Sequence, residues 1–404
     1  MGGFFISAKR VAAVIIGIVF LLAGLFKLLD PAGSALVVKD YLSFMHLSFL
    51  EPLAKALAVA LALLEALAGA ALISGVWRKA VAVLVLVLLH SFTLLTLTLA
   101  IFNPIMDCGC FGEVLHLSNL QTFLKNLALL ALAFFAFIPL GALGKPKRRK
   151  YLAFGLVGLS IVAFAVYSLL RLPLVDYTSF APGNYLMAAG GGEESPQKLE
   201  LKYIYEKNGQ RGIFPLDRLP DSTWTFVGPE ELPEKVLSAG ESQPILSFRD
   251  SAGVYMDNYA AEGNVLVFSV YEPERLGGED WTELSQAVLG AKEADMRPLL
   301  LVAGTYAAYD SLETIVPQVR ELLQDYVYVS DYKTLITLNR SNGGACWLSG
   351  GQIVRKFSHS GLPTPEEVLE LTGLDPTEEM LSRSSAGRAR FHGFLLYALL
   401  LLII

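Results

Sequence analysis

The run Val11-Ala-Ala-Val-Ile-Ile-Gly-Ile-Val-Phe-Leu-Leu-Ala-Gly-Leu-Phe-Lys-Leu-Leu29 carries a single charged residue, Lys27. As a helix it is long enough to cross a hydrocarbon core of about 30 Å, which needs about 20 residues. Lys9 and Arg10 precede it, as in a signal peptide, but its apolar part is too long for that. No small-residue cleavage site closes it, so it reads as a retained helix. Four more runs of this kind follow, near Pro52 to Ser74, Ala80 to Phe102, Thr122 to Leu143 and Tyr151 to Leu170. A sixth, Phe391 to Ile404, is shorter and reads as a short span, an interfacial helix or a tail packed on the bundle.

Composition agrees. Of 404 residues 53% are hydrophobic and 17% charged, where a soluble chain has about 25% charged. The few charges of residues 11 to 144 contrast with the ordinary soluble composition of 193 to 390, so the chain divides into at least two parts. A net charge of -6 with no basic stripe argues against nucleic acid as a partner.

Basic residues set the expected orientation. Lys9 and Arg10, then Arg78 and Lys79, then Lys145, Lys147, Arg148, Arg149 and Lys150 all fall on one side of the five spans, which is expected to be the cytoplasm. The opposite side then receives the loops 30 to 51 and 103 to 121 and everything from Arg171 to about Arg390. In a bacterial inner membrane that side is the periplasm, where disulfides form and persist.

One exterior loop holds Asp107-Cys108-Gly109-Cys110-Phe111-Gly112, two of the three cysteines. A glycine between two thiols permits the tight backbone of a short-range disulfide, and strained disulfides are the exchangeable kind. Thiol redox chemistry is the leading reading, with Cys108 and Cys110 as catalytic residues; a structural clip is the alternative. Polar residues in the spans are costly and need reasons. Glu65 lies in mid-span and is read as a proton relay, a ligand contact or an inward hydrogen bond. Lys27 and Lys125 are explained by snorkelling, although cations at that depth also favour a thiolate. Thr93, Thr96 and Thr98 are expected to bond back to their own helix. Gln121 and Lys125 share a helix face with Asn126 beside them; with His90 they are candidates to line a pocket for a quinone head group. No histidine or cysteine spacing fits zinc, so no metal is expected.

Beyond the fifth span, a Gly-rich linker at Ala188 to Glu194 leads to a hairpin expected around Asn208-Gly209, with Leu199, Leu201, Tyr203 and Tyr205 alternating as in a half-buried strand. From Pro244 strands alternate with helices: Val265 to Val270, helix Asp280 to Ala294, Leu299 to Val302, helix Ser311 to Asp325 and Tyr326 to Val329. A hairpin of Ala345 to Leu348 and Gln352 to Phe357 and a helix from Thr364 to Thr372 follow. This order resembles a thioredoxin fold. In a redox-active member a C-x-x-C follows the first strand, and here Tyr271-Glu272-Pro273-Glu274 stands in its place. Cys346 falls in a strand and is read as a buried free thiol.

Gly24-Leu-Phe-Lys27-Leu-Leu-Asp30-Pro31, Asn103-Pro104 through Gly112, and Ser118-Asn119-Leu-Gln121-Thr122-Phe123-Leu-Lys125-Asn126 together resemble the four-helix DoxX/MauE group of bacterial membrane proteins, over about residues 8 to 143. The fifth helix and the segment Leu219 to Val227 resemble a version with a thioredoxin-like extension. The resemblance implies disulfide formation during maturation of an exported protein partner, alongside a separate thioredoxin-like protein. The expected organisation is a four-helix membrane domain over 1–145, a fifth helix over 146–171, a linker and β-rich segment over 172–243, a thioredoxin-like domain over 244–380 and an apolar tail over 381–404. The competing class is a membrane scaffold or transport-associated subunit, with Lys27 and Glu65 holding the bundle together.

Overall fold

The computed structural model describes residues 2–102, 112, 117–140, 148–187, 202–207, 210–215, 224–229 and 244–403. Among them, six helices are long and apolar enough to cross a membrane. These belong to α1 (Gly2–Leu29), α3 (Ala54–Ser74), α4 (Arg78–Phe102), α5 (Asn119–Phe137), α6 (Arg148–Leu170) and the last helix, α10 (Pro376–Ile403). The C-terminal run is thus the apolar end of a longer helix, and its Phe394, Ala398 and Leu401 are buried against α1, α3 and α6. Outward faces stay apolar: Val83, Val87, Leu94 and Ile101 of α4 are all exposed. Apolar surface on this scale calls for lipid.

Close packing of α1 on α3 organises the bundle. A β-carbon at Gly24 would lie 2.5 Å from the Ala62 carbonyl oxygen, and one at Gly69 would lie 2.3 Å from the Leu21 nitrogen. Lipid offers no hydrophobic drive between helices, so small residues that let backbones approach supply the attraction through van der Waals contact. On one side of this pair, Ile16 and Phe20 pack with Val85, Leu89 and Ala133 of α4 and α5. On the other, Leu21 and Leu25 pack with Ile161 of α6 and with α10.

The loop after α1 is itself helical. Asp30 caps α2 (Pro31–Phe44) by accepting from the Gly33 N–H at 2.9 Å, and Pro31 occupies the first turn, where its missing N–H costs nothing.

Three strands, β1 (Lys202–Lys207), β2 (Gln210–Pro215) and β3 (Thr225–Pro229), form a small antiparallel sheet ordered β2-β1-β3. The larger sheet has six strands: β4 (Phe248–Arg249), β5 (Asn264–Val270), β6 (Arg297–Ala303), β7 (Val327–Ser330), β8 (Gly344–Ser349) and β9 (Gln352–Phe357). Their order is β9-β8-β5-β6-β7-β4, with β5, β6 and β7 parallel and the other pairings antiparallel. The central strand β5 is buried on both faces, as its unbroken apolar run requires. Leu266 and Phe268 meet Trp281 and Val288 of α7 (Gly278–Glu293) and Val368 of α9 (Pro365–Thr372). Val265 and Val267 meet Leu335 and Leu338 of α8 (Tyr332–Leu338). The expected helix over 311 to 325 is instead two short pieces, Tyr306–Asp310 and Pro317–Leu323. Pro317 can only begin a helix, and Val316 before it is extended.

The mixed-sheet domain docks on α2. Ala32 belongs to the core under β5 and β8, with Leu36 packed against it. Arg340 pairs with Asp30 at 2.8 Å, both side chains almost wholly buried. Lys333 pairs with Asp40 at 2.9 Å, Lys39 stands 4.0 Å over the Tyr332 ring, and Arg275 donates to the Pro52 carbonyl at 3.1 Å. The opposite end of the bundle is basic. There Arg10 donates to the Ile73 carbonyl at 2.6 Å, Lys9 to that of Ile138 at 2.5 Å, and Arg78 to that of Gly75 at 3.1 Å.

Candidate functional site

The α1–α3 contact brings Lys27 to Glu65. Both carboxylate oxygens accept from the ammonium, at 2.6 and 2.7 Å, and the side chains are 13% and 3% exposed. A charge pair this dry persists only because each partner satisfies the other. Lys27 therefore turns into the bundle and does not snorkel; its Nζ also lies 5.8 Å from the Phe92 ring centre.

Beside the pair is a cavity of about 130 Å³, lined on its polar side by Lys27, Ser34, Glu65, Thr96, Lys125 and Asn126. Thr96 bonds back to the Phe92 carbonyl at 2.7 Å and accepts from the Asn126 amide at 3.3 Å. Thr93 and Thr98 bond back to their own helix as expected. Ser34 donates to the Lys27 carbonyl at 3.0 Å, tying α2 to the end of α1. The site sets a charged pair beside a cavity with room for water or a small polar group.

Of the residues picked out by spacing, Lys27, Glu65, Lys125 and Asn126 surround this one cavity. His90 is exposed on the outer face of α4. Gln121 closes a capping box with Ser118, whose N–H donates to its Oε1 at 3.1 Å. His90, Gln121 and Lys125 therefore do not form a single pocket for a quinone ring. Cys108 and Cys110 lie outside the described residues, as does the Gly-rich linker. Gly112 is described, with φ of 60°; a β-carbon there would lie 3.1 Å from the Phe26 carbonyl oxygen and 3.5 Å from the Lys27 Cα. Positive φ and close approach both require glycine here.

In the sheet domain, Cys346 is fully buried and donates to the Leu338 carbonyl at 3.6 Å; burial pushes its thiol up to about 11. The segment Tyr271-Glu272-Pro273-Glu274 is tied down by Asn342, whose side-chain oxygen accepts from the Tyr271 and Glu272 N–H groups at 2.9 Å. Tyr271 donates its hydroxyl to the Arg340 carbonyl at 3.0 Å, so this edge leads directly into the Arg340–Asp30 contact. That contact joins residues 310 apart, and no sequence signal links them.

The helices and their apolar outer faces define a multi-pass membrane protein with a mixed-sheet domain at one end of the bundle. The family model described as methylamine utilisation protein MauE matches residues 6–139, and this region, α1 to α5, is a MauE/DoxX-like membrane domain. A second family model, described as a domain of unknown function (DUF8463), matches residues 199–232, the segment of β1 to β3. No curated protein and no solved structure matched the chain.

Proposed function

We propose that this chain is a redox-associated protein of the bacterial inner membrane in which Cys108 and Cys110 exchange disulfides with an exported partner. A partner thiolate attacks the Cys108–Cys110 disulfide, a mixed disulfide forms, and a second partner thiol displaces the chain and leaves it as a dithiol. The N-terminus is cytoplasmic and the sheet domain periplasmic, a reading supported by the basic groups at the end of the bundle away from that domain. The sheet domain is thioredoxin-like without the chemistry. The order β6-β5-β8-β9, followed by α9, supports this, and Tyr271 to Glu274 supply no thiol. It binds or shields where an active member would react.

The observation that carries this reading is the position of Gly112. Two residues after Cys110, it packs on the backbone of Phe26 and of Lys27, whose side chain forms the buried ion pair with Glu65. A second reading, a non-enzymatic scaffold, is favoured by the Lys27–Glu65 pair as a clamp between α1 and α3. The discriminating experiment is the redox state of the cysteines in membranes, measured by mass shift after alkylation. Exchange requires an oxidised pair that becomes alkylatable when reduced partner is supplied; a pair always fully alkylatable supports the scaffold.

A further inference from the structure

A second and larger cavity, of about 460 Å³, lies between the exit of α6, the edge strand β9 and the polar half of α10. Its level is set by two apolar runs. The apolar run of α6 ends at Leu170 and that of α10 begins at Phe391, so Leu172 to Tyr177 and Arg383 to Arg390 lie just outside the two apolar runs. Tyr177 meets Phe391 edge to face at 6.4 Å, the kind of aromatic contact found at a membrane–water interface.

The charge balance of this cavity is uneven. Asp176 is taken by Lys356 at 2.5 Å, and Asp30 by Arg340. Glu379 is shared by Arg383 at 2.8 Å and Arg355 at 3.3 Å. Among the described residues Arg390 has no acidic partner, and the contact of Arg388 is to the Ser385 hydroxyl at 3.5 Å. These arginines lie at the domain-bearing end of the bundle, opposite Lys9, Arg10 and Arg78. Placed there they reverse the usual charge asymmetry, and exposed arginines close to a membrane surface attract anionic headgroups.

We propose that the cavity binds the phosphate of an anionic phospholipid from the leaflet it faces, with Arg383, Arg388 and Arg390 supplying the charge and Phe391, Leu172 and Leu174 the apolar floor. Guanidinium groups suit phosphate because their forked donors match its oxygens. The bound lipid fills the joint between α6, α10 and the sheet domain.

The test is lipid titration of the purified full-length protein, read by native mass spectrometry, with phosphatidylglycerol, phosphatidylcholine and inorganic phosphate as separate arms. Phosphatidylglycerol should bind more tightly than phosphatidylcholine. Each arginine near an anionic group contributes a factor of about five, so Arg388→Gln with Arg390→Gln should lower phosphatidylglycerol affinity roughly thirtyfold. The Arg388→Lys, Arg390→Lys pair should retain most of it, and Arg78→Gln at the other end should change nothing. Equal affinity for the two lipids, or unaltered affinity in the double glutamine variant, overturns the proposal. Full displacement by millimolar inorganic phosphate assigns the site to a free anion and overturns it too.

Discussion

Replacing Glu65 by Leu leaves the Lys27 ammonium buried, with the Phe92 ring at 5.8 Å as its remaining favourable contact among the described residues. Replacing Lys27 by Met leaves a carboxylate that is 3% exposed without the donor that both its oxygens use. Loss of one member of a buried pair costs about 3–5 kcal/mol. The cation–π contact offsets about 1–2 kcal/mol of this for Glu65→Leu, so Lys27→Met should be the worse single change. The double variant Lys27→Met, Glu65→Leu substitutes apolar side chains of similar volume and should fall within about 1.5 kcal/mol of the parent. The singles and the double then form a cycle with several kcal/mol of coupling. Unfolding in mixed micelles, followed by the fluorescence of Trp77 where it packs on Tyr151 and Phe154, measures all four proteins. Singles within about 1 kcal/mol of the parent, or a double no more stable than the weaker single, would show that the two charges do not depend on each other. A double variant that folds normally but no longer supports partner oxidation would give the pair a role beyond that of a clamp.

Three further outcomes are expected. Arg340→Met strands Asp30 in the interface and should weaken docking of the sheet domain by about 3–5 kcal/mol, seen as faster hydrogen exchange in α2. Cys346, with its thiol near 11, is about one-thousandth thiolate at pH 8 and should resist alkylation until the domain unfolds. Burial alone would raise the Asp176 carboxyl, but Lys356 and Thr178 outweigh burial and hold it below its ordinary 3.8. Its contribution is therefore complete above that pH and is lost as pH falls through the lowered value. Asp176→Asn should cost about 1–3 kcal/mol at neutral pH and flatten the acid limb of a melting-temperature profile.

The spans were legible because a 20-residue apolar run has few soluble uses, and the strands from Val265 onward because their apolar runs and turn residues are local. Helix α2 was missed although Asp30-Pro31 is a helix-start signal: its sequence, small at the start and interrupted by Lys39 and Asp40, lacks a strong apolar stripe. Pro317 announced the break between the two short helices but was absorbed into one. The Lys27–Glu65 pair depends on how two helices are rotated against each other, which composition does not reveal. Gly24 and Gly69 let the two helix backbones meet, but no feature of their spacing fixes the partner of Lys27. The Arg340–Asp30 contact arises only when a folded domain meets a folded bundle, so no local pattern encodes it. Gln121 illustrates the converse: its spacing suited a ligand face, while Ser118 three residues earlier already claimed it as a capping residue.

Covalent exchange at Cys108 and Cys110 is the proposed activity, and trapping measures it directly. In the reverse of that exchange the thiolate left in a single variant attacks the oxidised partner's disulfide, and with no second thiol on this chain to resolve it the mixed disulfide lasts longer. Full-length Cys108→Ser and Cys110→Ser variants, isolated from membranes under acid quench and run without reductant, should differ: one should accumulate a reducible adduct of higher mass, the other much less. The double variant should form none, and Cys346→Ser should leave the adduct unchanged. Absence of an adduct from both single variants, with normal partner oxidation in the double variant, would contradict the account.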